Sequence, residues 1–470
     1  MSRIITSETP KHIHQEVLIS GWVQTRRDHG KIIFLDLRDR GGLIQVVVTP
    51  DNKEAYTAVQ EIRSEWVISI QGTIQERPDK LKNPDLITGD IELAAKNITI
   101  LSKAATLPLP IDTNGYDIDE DVRLQYRYLD LRRPRLQRNL KVRSRYVQAV
   151  REYLFSKEFT EIETPLLTKS TPEGSRDFVV PSRIYPGKFY ALPQSPQQYK
   201  QLLMVGGFER YFQIARALRD EDPRADRGFE HSQVDLEMSF VTREEVMKLV
   251  EEMTIHALGA IGAKIAEQPF PVITYKEAME TYGADKFDLR TEEEKSQGVL
   301  KFAWVVDFPF FEKTVDGKWT FTHNPFSAPL NNEHEQWLLE GKNIDRILTS
   351  QYDLVCNGFE VSGGSIRSHK PEVLKAVFRV MGYADQEIQN SFGHMLEAFT
   401  YGAPPHGGCA QGLERILMTF LNEEYLREVQ AFPQTGQGRI SVMDAPGELS
   451  EDQLKELHLR VEKSTHTKKS

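Results

Sequence analysis

Several features that anchor or staple proteins are scarce here. Only two cysteines, Cys356 and Cys409, occur in 470 residues, which excludes a disulfide framework, and no Cys-x-x-Cys pair offers zinc spacing. No apolar run approaches the roughly 20 residues of a membrane span, and the N-terminal MSRIITSETPKHIH has no apolar signal region. Short-period repeats, a Walker A loop and a Rossmann glycine fingerprint are also missing. Excess positive charge is lacking too: the net charge of −10 argues against indiscriminate coating of nucleic acid and leaves only placed basic patches for such contacts. These absences predict a soluble, cytoplasmic protein with reduced thiols and no membrane association. The tail Ser464–Ser470 is expected to be disordered.

What is present is an ordinary globular balance, 39% hydrophobic and 27% charged, over a length that calls for two or three domains. The first hundred residues read as strands at Val17–Val23, Ile32–Arg38, Leu43–Val48 and Trp66–Ile74, then Ile91–Leu93 with Ile98–Leu101. A helical stretch near Glu54–Ile62 falls between the third and fourth, and five strands with a helix there is the order of an OB-fold β-barrel. Within Ile32–Arg38, period two sets Ile33, Leu35 and Leu37 against Phe34, Asp36 and Arg38. Phe34 is therefore an aromatic on the polar face, either covered by a loop or open to stack on a nucleobase.

Residues 1–104 are assigned to this barrel and residues 105–135 to a hinge. An amphipathic helix follows, with Val142, Tyr146, Val150, Tyr153 and Leu154 at helical spacing. It leads into FTEIETPLL, where Pro165 marks an edge or an interface because proline cannot sit in a central ladder. From there to about Ile440 strands dominate without regular βαβ alternation. Residues 136–470 are thus expected to form an antiparallel sheet flanked by helices, giving an α+β chain.

Three stretches carry candidate chemistry. In the first, Tyr211–Arg219 and Asp235–Phe240 flank a charged loop as a long hairpin, with Arg219 and Glu221 where the first strand ends. A sheet-held arginine can fork onto a phosphate and a carboxylate, and Arg224 and Arg227 would suit a polyphosphate; the alternative is an exposed, salt-bridged hairpin. In the second, Asn357-Gly358 signals a tight turn that sets Val355 opposite Glu360 and brings Asp353 onto the same face. Such carboxylates repel, share a proton or hold a divalent cation, and Mg²⁺ bridging nucleotide phosphates is the most economical of these. Gly363-Gly364 would admit a ligand to the backbone, with Arg367 following to bind an anion. In the third, PPHGGCAQGLERILMTFL, Gly407 and Gly408 suggest close backbone approach. Gly412 opens a helix whose positions 413, 416, 417, 420 and 421 are apolar, and Arg415 sits in its first turn against the helix dipole, which a bound phosphate would explain.

Taken together, FTEIETPLL, LRDED with its loop, and GLER resemble the three signature motifs of class II aminoacyl-tRNA synthetases. Their order behind an OB-fold resembles the subclass for aspartate, asparagine and lysine. Longer stretches such as GWVQTRRDHGKIIFLDLRDRGG, QYRYLDLRRP, TPEGSRDFVVP, LPQSPQQYKQLLM, DFPFFE, GGSIRSH and FPQTGQG resemble the bacterial-type aspartyl enzymes along nearly the whole chain. The resemblance implies activation of L-aspartate by ATP with Mg²⁺, followed by transfer to the 3′ end of tRNA(Asp). It assigns Glu173, Ser195, Gln197, Lys200, Asp235, His323 and Arg367 to the amino acid, with Lys200 and Arg367 on its side-chain carboxylate. Arg219 bridges the α-phosphate and the amino-acid carboxylate, and Glu221 and Arg415 complete the catalytic set. ATP is further met by Asp220, Gly228, His231, Glu360, Gly412, Leu413 and Glu414, and Asp353 with Glu360 is the metal pair. Arg27, Phe34, Gln45, Arg77 and Glu92 match the anticodon-reading face, and Pro165 marks a homodimer interface.

Departures from the family pattern are equally specific. A short link at 290–302 stands where the bacterial-type enzymes carry an inserted domain. His231 replaces the usual adenine-stacking Phe, with less stacking area and a ring able to titrate near neutral pH. Gly228 and Gln411 also differ, and all three are expected to bear on ATP affinity. His29 resembles enzymes that charge both tRNA(Asp) and tRNA(Asn), whereas Lys80 resembles those restricted to tRNA(Asp). Aspartate is expected to be chosen over asparagine because a neutral amide would leave Lys200 and Arg367 without a counter-charge. The alternative is a catalytically altered paralogue acting as an RNA-binding or regulatory protein; the joint retention of Arg219, Glu221, Asp353, Glu360 and Arg415 speaks against it.

Overall fold

Alternation of apolar residues builds the first unit, Met1–Pro110. The computed structural model describes residues 1–171 and 173–462, so the expected tail disorder lies outside the described residues. Strands β1 (Glu16–His29), β2 (Ile32–Asp39), β3 (Gly42–Val48), β4 (Val67–Glu76) and β5 (Ile91–Ser102), with helix α1 (Lys53–Glu61) after β3, close a barrel in the order β1-β2-β3-β5-β4. Val17, Ile19, Val23, Ile33, Leu35, Leu37, Ile44, Val46 and Val48 fill its core, while Phe34 and Asp36 face outward. The OB-fold expectation holds. The two segments expected after residue 90 are one strand, because an irregularity in register at Gln71/Gly72 lets β4 follow β5 throughout.

The second unit, Ile111–Ser470, takes in most of the stretch 105–135 that was expected to be a hinge. Residues 120–125 and 127–130 form helices α2 and α3, and α4 (Pro134–Ser156) follows. Far from a solvated charge run, Arg127 and Arg133 are buried around Asp130, itself fully buried. Asp130 accepts from Arg123 at 3.1 Å, Arg127 at 2.8 Å and Arg133 at 2.5 Å. Arg123 and Arg135 also grip Glu428, each at 2.8 Å. Burial alone would raise the Asp130 carboxyl; the arginines outweigh it and hold it below the usual range.

The chain then lays down β6 (Thr160–Glu161), a ribbon of β7 (Val179–Pro181) and β8 (Phe189–Ala191), α5 (Gln197–Val205), β9 (Arg210–Leu218), β10 (Glu230–Ser239) and α6 (Arg243–Gly259). Next come β11 (Val272–Thr274), α7 (Tyr275–Tyr282), α8 (Glu292–Ser296), β12 (Phe302–Val306), a second ribbon of β13 (Phe311–Lys313) and β14 (Trp319–Phe321), and α9 (Asn332–Glu340). Last are β15 (Gln351–Cys356), β16 (Phe359–Ile366), α10 (Pro371–Val380), α11 (Asp385–Phe399), β17 (His406–Gly412), α12 (Leu413–Leu421) and α13 (Glu451–Glu456). Eight strands make one sheet, β11-β12-β15-β16-β17-β10-β9-β6. It is antiparallel at its centre as expected, but its two edge pairings, β11 with β12 and β6 with β9, are parallel. Pro165 lies just past the short edge strand β6.

Period two divides the sheet's faces. Val234, Leu236, Met238, Leu354 and Cys409 pack with Tyr146, Val150, Val250, Ile416 and Leu417 from α4, α6 and α12. The opposite face of the same strands carries polar groups. The link at 290–302 is α8, capped by Thr291 and Glu294. Both cysteines are buried and unpaired, and no helix among the described residues is long and apolar enough to cross a membrane. Asp130→Asn should destabilise the second unit by about 3–5 kcal/mol, the cost of uncovering buried arginines. Urea unfolding reads this directly, and an unchanged midpoint would contradict the account of that cluster.

Candidate active site

On β10 the alternation seen in the sequence points His231, Gln233, Asp235 and Glu237 away from the helices. The first three join residues of α5, the β9–β10 loop, β16 and the start of α12 around a cleft of about 1050 Å³, with Glu237 fully buried behind them. Glu173, Ser195, Gln197, Lys200, Arg219, Glu221, Gly228, His231, Asp235, His323, Glu360, Arg367, Gly412, Glu414 and Arg415 all line it. Asp353 lies just beneath the surface. Asp220 instead faces Arg176 at 3.5 Å, and the Leu413 side chain is turned into the helical core. Neither of these two residues lines the cleft.

At one end of the cleft four charges are buried together. Lys200, 1% exposed, lies 3.1 Å from Asp235 Oδ1 and 3.2 Å from Glu237 Oε2. Arg367 forks onto Glu237, Nε to Oε1 at 2.9 Å and Nη2 to Oε2 at 3.2 Å, and donates from Nη1 to Ser365 Oγ at 2.8 Å. Burial would raise Glu237, but Arg367 and Lys200 prevail and hold it low. Burial pushes Asp235 up to about 6, against the pull of Lys200. Asp235 Oδ1 has an ionic neighbour in Lys200 but no hydrogen bond among the described residues, so an acceptor is left open at the cleft floor. Two cations and two carboxylates therefore balance before any ligand arrives. The expectation that a neutral amide would leave Lys200 and Arg367 without a counter-charge is corrected: Asp235 and Glu237 supply it. Glu237 was missed, although its position two residues from Asp235 in an alternating strand places it on the same face. Gly408, near the start of β17, has its reason here, since its Cβ would fall 2.1 Å from Glu237 Oε2, whereas a Cβ on Gly407 would meet Ile366 Cδ1 at 2.5 Å.

The other end is rich in arginine. Arg219 leaves the end of β9 and donates from Nε to the Gln194 carbonyl at 3.2 Å. Glu221 pairs with Arg227 at 2.9 Å and accepts from Ser175 Oγ. Arg415 contacts Asp226 at 3.3 Å and donates to the Glu360 carbonyl at 3.1 Å. Burial, then the nearby Arg219, Arg415 and Arg216, drive the His231 imidazole down to about 3. It stays neutral across physiological pH, correcting the expectation of titration near neutrality. Gln411 is not part of this region. It accepts from Tyr146 and donates to Thr254 at 2.8 Å, a buried tie between α4, β17 and α6. A Cβ on Gly228 would make only ordinary contacts, the nearest at 3.8 Å with Gln434 Oε1 and the Glu230 carbonyl. Glu414 accepts from the Ser232 amide at 2.9 Å and pairs with Arg143 at 2.9 Å, anchoring the start of α12 to β10.

The β15–β16 hairpin holds the acidic pair. Val355 faces Glu360 as expected, and a register shift at Leu354/Val355 sets Asp353 opposite Gly363. Asp353 Oδ1 and Glu360 Oε1 lie 3.0 and 3.4 Å from the point a Gly363 Cβ would occupy, so the two carboxylates converge over a bare backbone. Gly364 serves a different need, since its Cβ would strike the Gly408 carbonyl at 2.2 Å. His323 Nε2 meets Asp353 at 3.1 Å, and Lys286 meets Glu360 at 2.9 Å. Burial raises Asp353, with Glu360 adding to it; burial also opposes charge on His323, but Asp353 wins and raises it. No group of three or more His, Cys, Asp or Glu among the described residues forms a complete cation cage. Two hard oxygen donors facing an open cleft fit a divalent ion that takes its remaining ligands from a bound substrate. Lys286 had no signal in the sequence; only the fold brings it to Glu360.

On the barrel, Arg27 donates to Asp36 at 2.8 Å and Gln45 at 3.3 Å, and Gln45 donates to Glu92 at 2.9 Å. Arg77, 8% exposed, donates to the Ile91 carbonyl at 2.9 Å. The half-buried Phe34 ring is met edge-on by His29, with centroids 5.7 Å apart. These residues form one patch, whereas Lys80 stands exposed in the turn Asp79–Leu81.

Residues 119–436 match the family described as tRNA synthetases class II (D, K and N), and residues 17–101 match the OB-fold nucleic acid binding domain. An aspartate–tRNA(Asp/Asn) ligase from Caldanaerobacter subterraneus subsp. tengcongensis is 39% identical over 576 positions, covering 96% of this chain and 97% of that protein. One from Rubrobacter xylanophilus is 39% identical over 575 positions, covering 96% and 95%. Such alignments exceed the 470 residues of this chain by more than a hundred positions, as expected for a chain without the inserted domain. Among solved structures, aspartyl-tRNA synthetase from Entamoeba histolytica has a TM-score of 0.72 at 23% identity, covering 92% of this chain and 91% of that one. Asparaginyl-tRNA synthetase from Pyrococcus horikoshii, complexed with asparaginyl-adenylate, has a TM-score of 0.72 at 22% identity, covering 93% and 98%. Those two share the fold; with the family match over 119–436 and the relatives at 39% identity, the chain belongs to the class II tRNA synthetases of the D, K and N group.

Proposed function

We propose that the chain is an aspartate–tRNA ligase that activates L-aspartate with ATP and passes it to the 3′ end of tRNA(Asp) and of tRNA(Asn). The observation that carries this reading is the buried Lys200–Glu237–Arg367 cluster beside an arginine-lined cleft. Lys200 and Arg367 retain donors beyond those Asp235 and Glu237 occupy, and these receive the substrate's side-chain carboxylate. Asp235 and Glu173, with Gln197 and Ser195, receive its ammonium; His323, which lines the cleft and is hydrogen-bonded to Asp353, completes the aspartate pocket. An α-carboxylate oxygen then attacks the α-phosphorus as pyrophosphate leaves, with no protein nucleophile required.

Arg219 aligns the carboxylate and α-phosphate, Arg415 takes the γ-phosphate, and Glu221 orders the ATP loop. His231 stacks as a neutral ring on adenine. Asp353 and Glu360 would hold Mg²⁺, which when bound supplies neutralisation of phosphate charge. In the second step the terminal ribose 3′-hydroxyl attacks the aspartyl carbonyl and AMP leaves. The Arg27, Phe34, Gln45, Arg77 and Glu92 patch reads the anticodon by stacking and hydrogen bonding. His29 against Phe34, together with relatives named for both transfer RNAs, supports the broader tRNA choice over the restriction that Lys80 resembles.

A homodimer fits the resemblance to motif 1 and the surface groove of about 550 Å³ that α4 carries along Leu140, Val147 and Phe155. Sedimentation should return twice the 53.9 kDa chain.

Three measurements test this reading. Labelled aspartate should be charged onto purified tRNA(Asp) and tRNA(Asn) transcripts alike; charging of tRNA(Asp) alone would restore the restricted reading. His231→Phe, which enlarges the stacking surface, should lower the KM for ATP severalfold, and an unchanged or higher value would count against stacking. Since Asp235 is pushed up to about 6, it loses its charge as pH falls through that value. The KM for aspartate should therefore rise between pH 7 and 5, and a flat profile would remove Asp235 from ammonium binding.

A further inference from the structure

Behind the aspartate end of the cleft runs a buried chain of hydrogen bonds outside the residues assigned so far. His406 and Gln201 are both fully buried. His406 Nδ1 lies 2.7 Å from the Pro404 carbonyl, Gln201 Nε2 lies 3.0 Å from His406 Nε2, and Gln197 Nε2 lies 3.0 Å from Gln201 Oε1. A carbonyl oxygen can only accept, so His406 Nδ1 carries the proton of the neutral imidazole and its Nε2 must accept. Gln201 is then obliged to donate to it with its amide nitrogen, which turns its oxygen toward Gln197. Gln197 must answer with its own nitrogen. Its Oε1 makes no hydrogen bond among the described residues, and Gln197 lines the cleft.

We propose that His406 and Gln201 are positioning residues that fix the amide of Gln197 so that its oxygen, not its nitrogen, faces the substrate's α-ammonium. The polarity starts at one backbone carbonyl and is passed through three side chains. Without it, Gln197 could rotate its amide and present donors to a cation. Burial, with Arg367 and His369 nearby, keeps His406 neutral against the pull of Glu237, the form the relay requires. This inference rests on the aspartate-activating reading above and adds the reason for one orientation within it.

The test uses full-length enzyme in ATP–pyrophosphate exchange, with succinate, which is aspartate without its amino group, as a competitive inhibitor. Gln201→Met keeps the volume but removes the relay. It should raise the KM for aspartate roughly tenfold, the scale of one charge-assisted hydrogen bond, while the succinate inhibition constant and the KM for ATP stay within about twofold of wild type. Gln201→Glu, sharing a proton with His406 Nε2 in place of the amide's donation, keeps an acceptor toward Gln197 and should restore the aspartate KM to near the wild-type value. Equal weakening of aspartate and succinate by Gln201→Met would mean general damage and overturn the proposal, as would an unchanged aspartate KM. Failure of the wild-type enzyme to exchange with aspartate at all would overturn the underlying reading, and the relay with it.

Discussion

The second unit is organised around four charges that have lost their water. Lys200, Asp235, Glu237 and Arg367 lie on or against central strands, each 3% exposed or less. Charges so placed are tolerable only when paired at close range, so the surrounding backbone has to hold them rigidly. Central antiparallel strands do that, and the missing Cβ of Gly408 is what lets Glu237 lie between Lys200 and Arg367. The helices beneath the sheet, α4, α6 and α12, pack against its apolar face, and the buried tie from Tyr146 through Gln411 to Thr254 joins α4 and α6 to β17.

The two ends of the cleft obey different electrostatics. Around Lys200 the signs balance and the geometry discriminates, because donors point at fixed places. Around Arg219 and Arg415 positive charge gathers on few side chains with partial carboxylate pairing, the condition for receiving a polyphosphate. His231 lies in this setting, its imidazole driven down to about 3 first by burial and then by Arg219, Arg415 and Arg216. One strand, β10, spans both regions, from His231 at one end to Asp235 and Glu237 further along. Its alternation therefore fixes the distance between the two ends of the cleft proposed for the nucleotide and the amino acid.

Much of this was legible in the sequence wherever local pattern decides. Strand alternation placed Phe34 outside the barrel and Asp235 on the polar face of β10, and Asn357-Gly358 set Val355 against Glu360. Groups whose setting depends on distant partners were not legible. The arginines of 123–135 look like surface until Asp130 and Glu428 arrive beneath them. His231 looks like a neutral-pH switch until burial, and then Arg219, Arg415 and Arg216, act on it. Glu237 was visible as a strand residue, but its role as counter-charge needed Arg367, 130 positions away. Lys286 and the His406–Gln201 chain gave no local signal at all.

The account's central claim is that the balanced Lys200–Asp235–Glu237–Arg367 cluster selects an anionic side chain. Amino-acid-dependent ATP–pyrophosphate exchange, run with aspartate and asparagine at equal concentration, measures this most directly. The account predicts exchange with aspartate and a rate about ten-thousandfold lower with asparagine, whose amide N–H would face the spare donors of Lys200 and Arg367. Comparable rates with both amino acids, or a preference for asparagine, would contradict it.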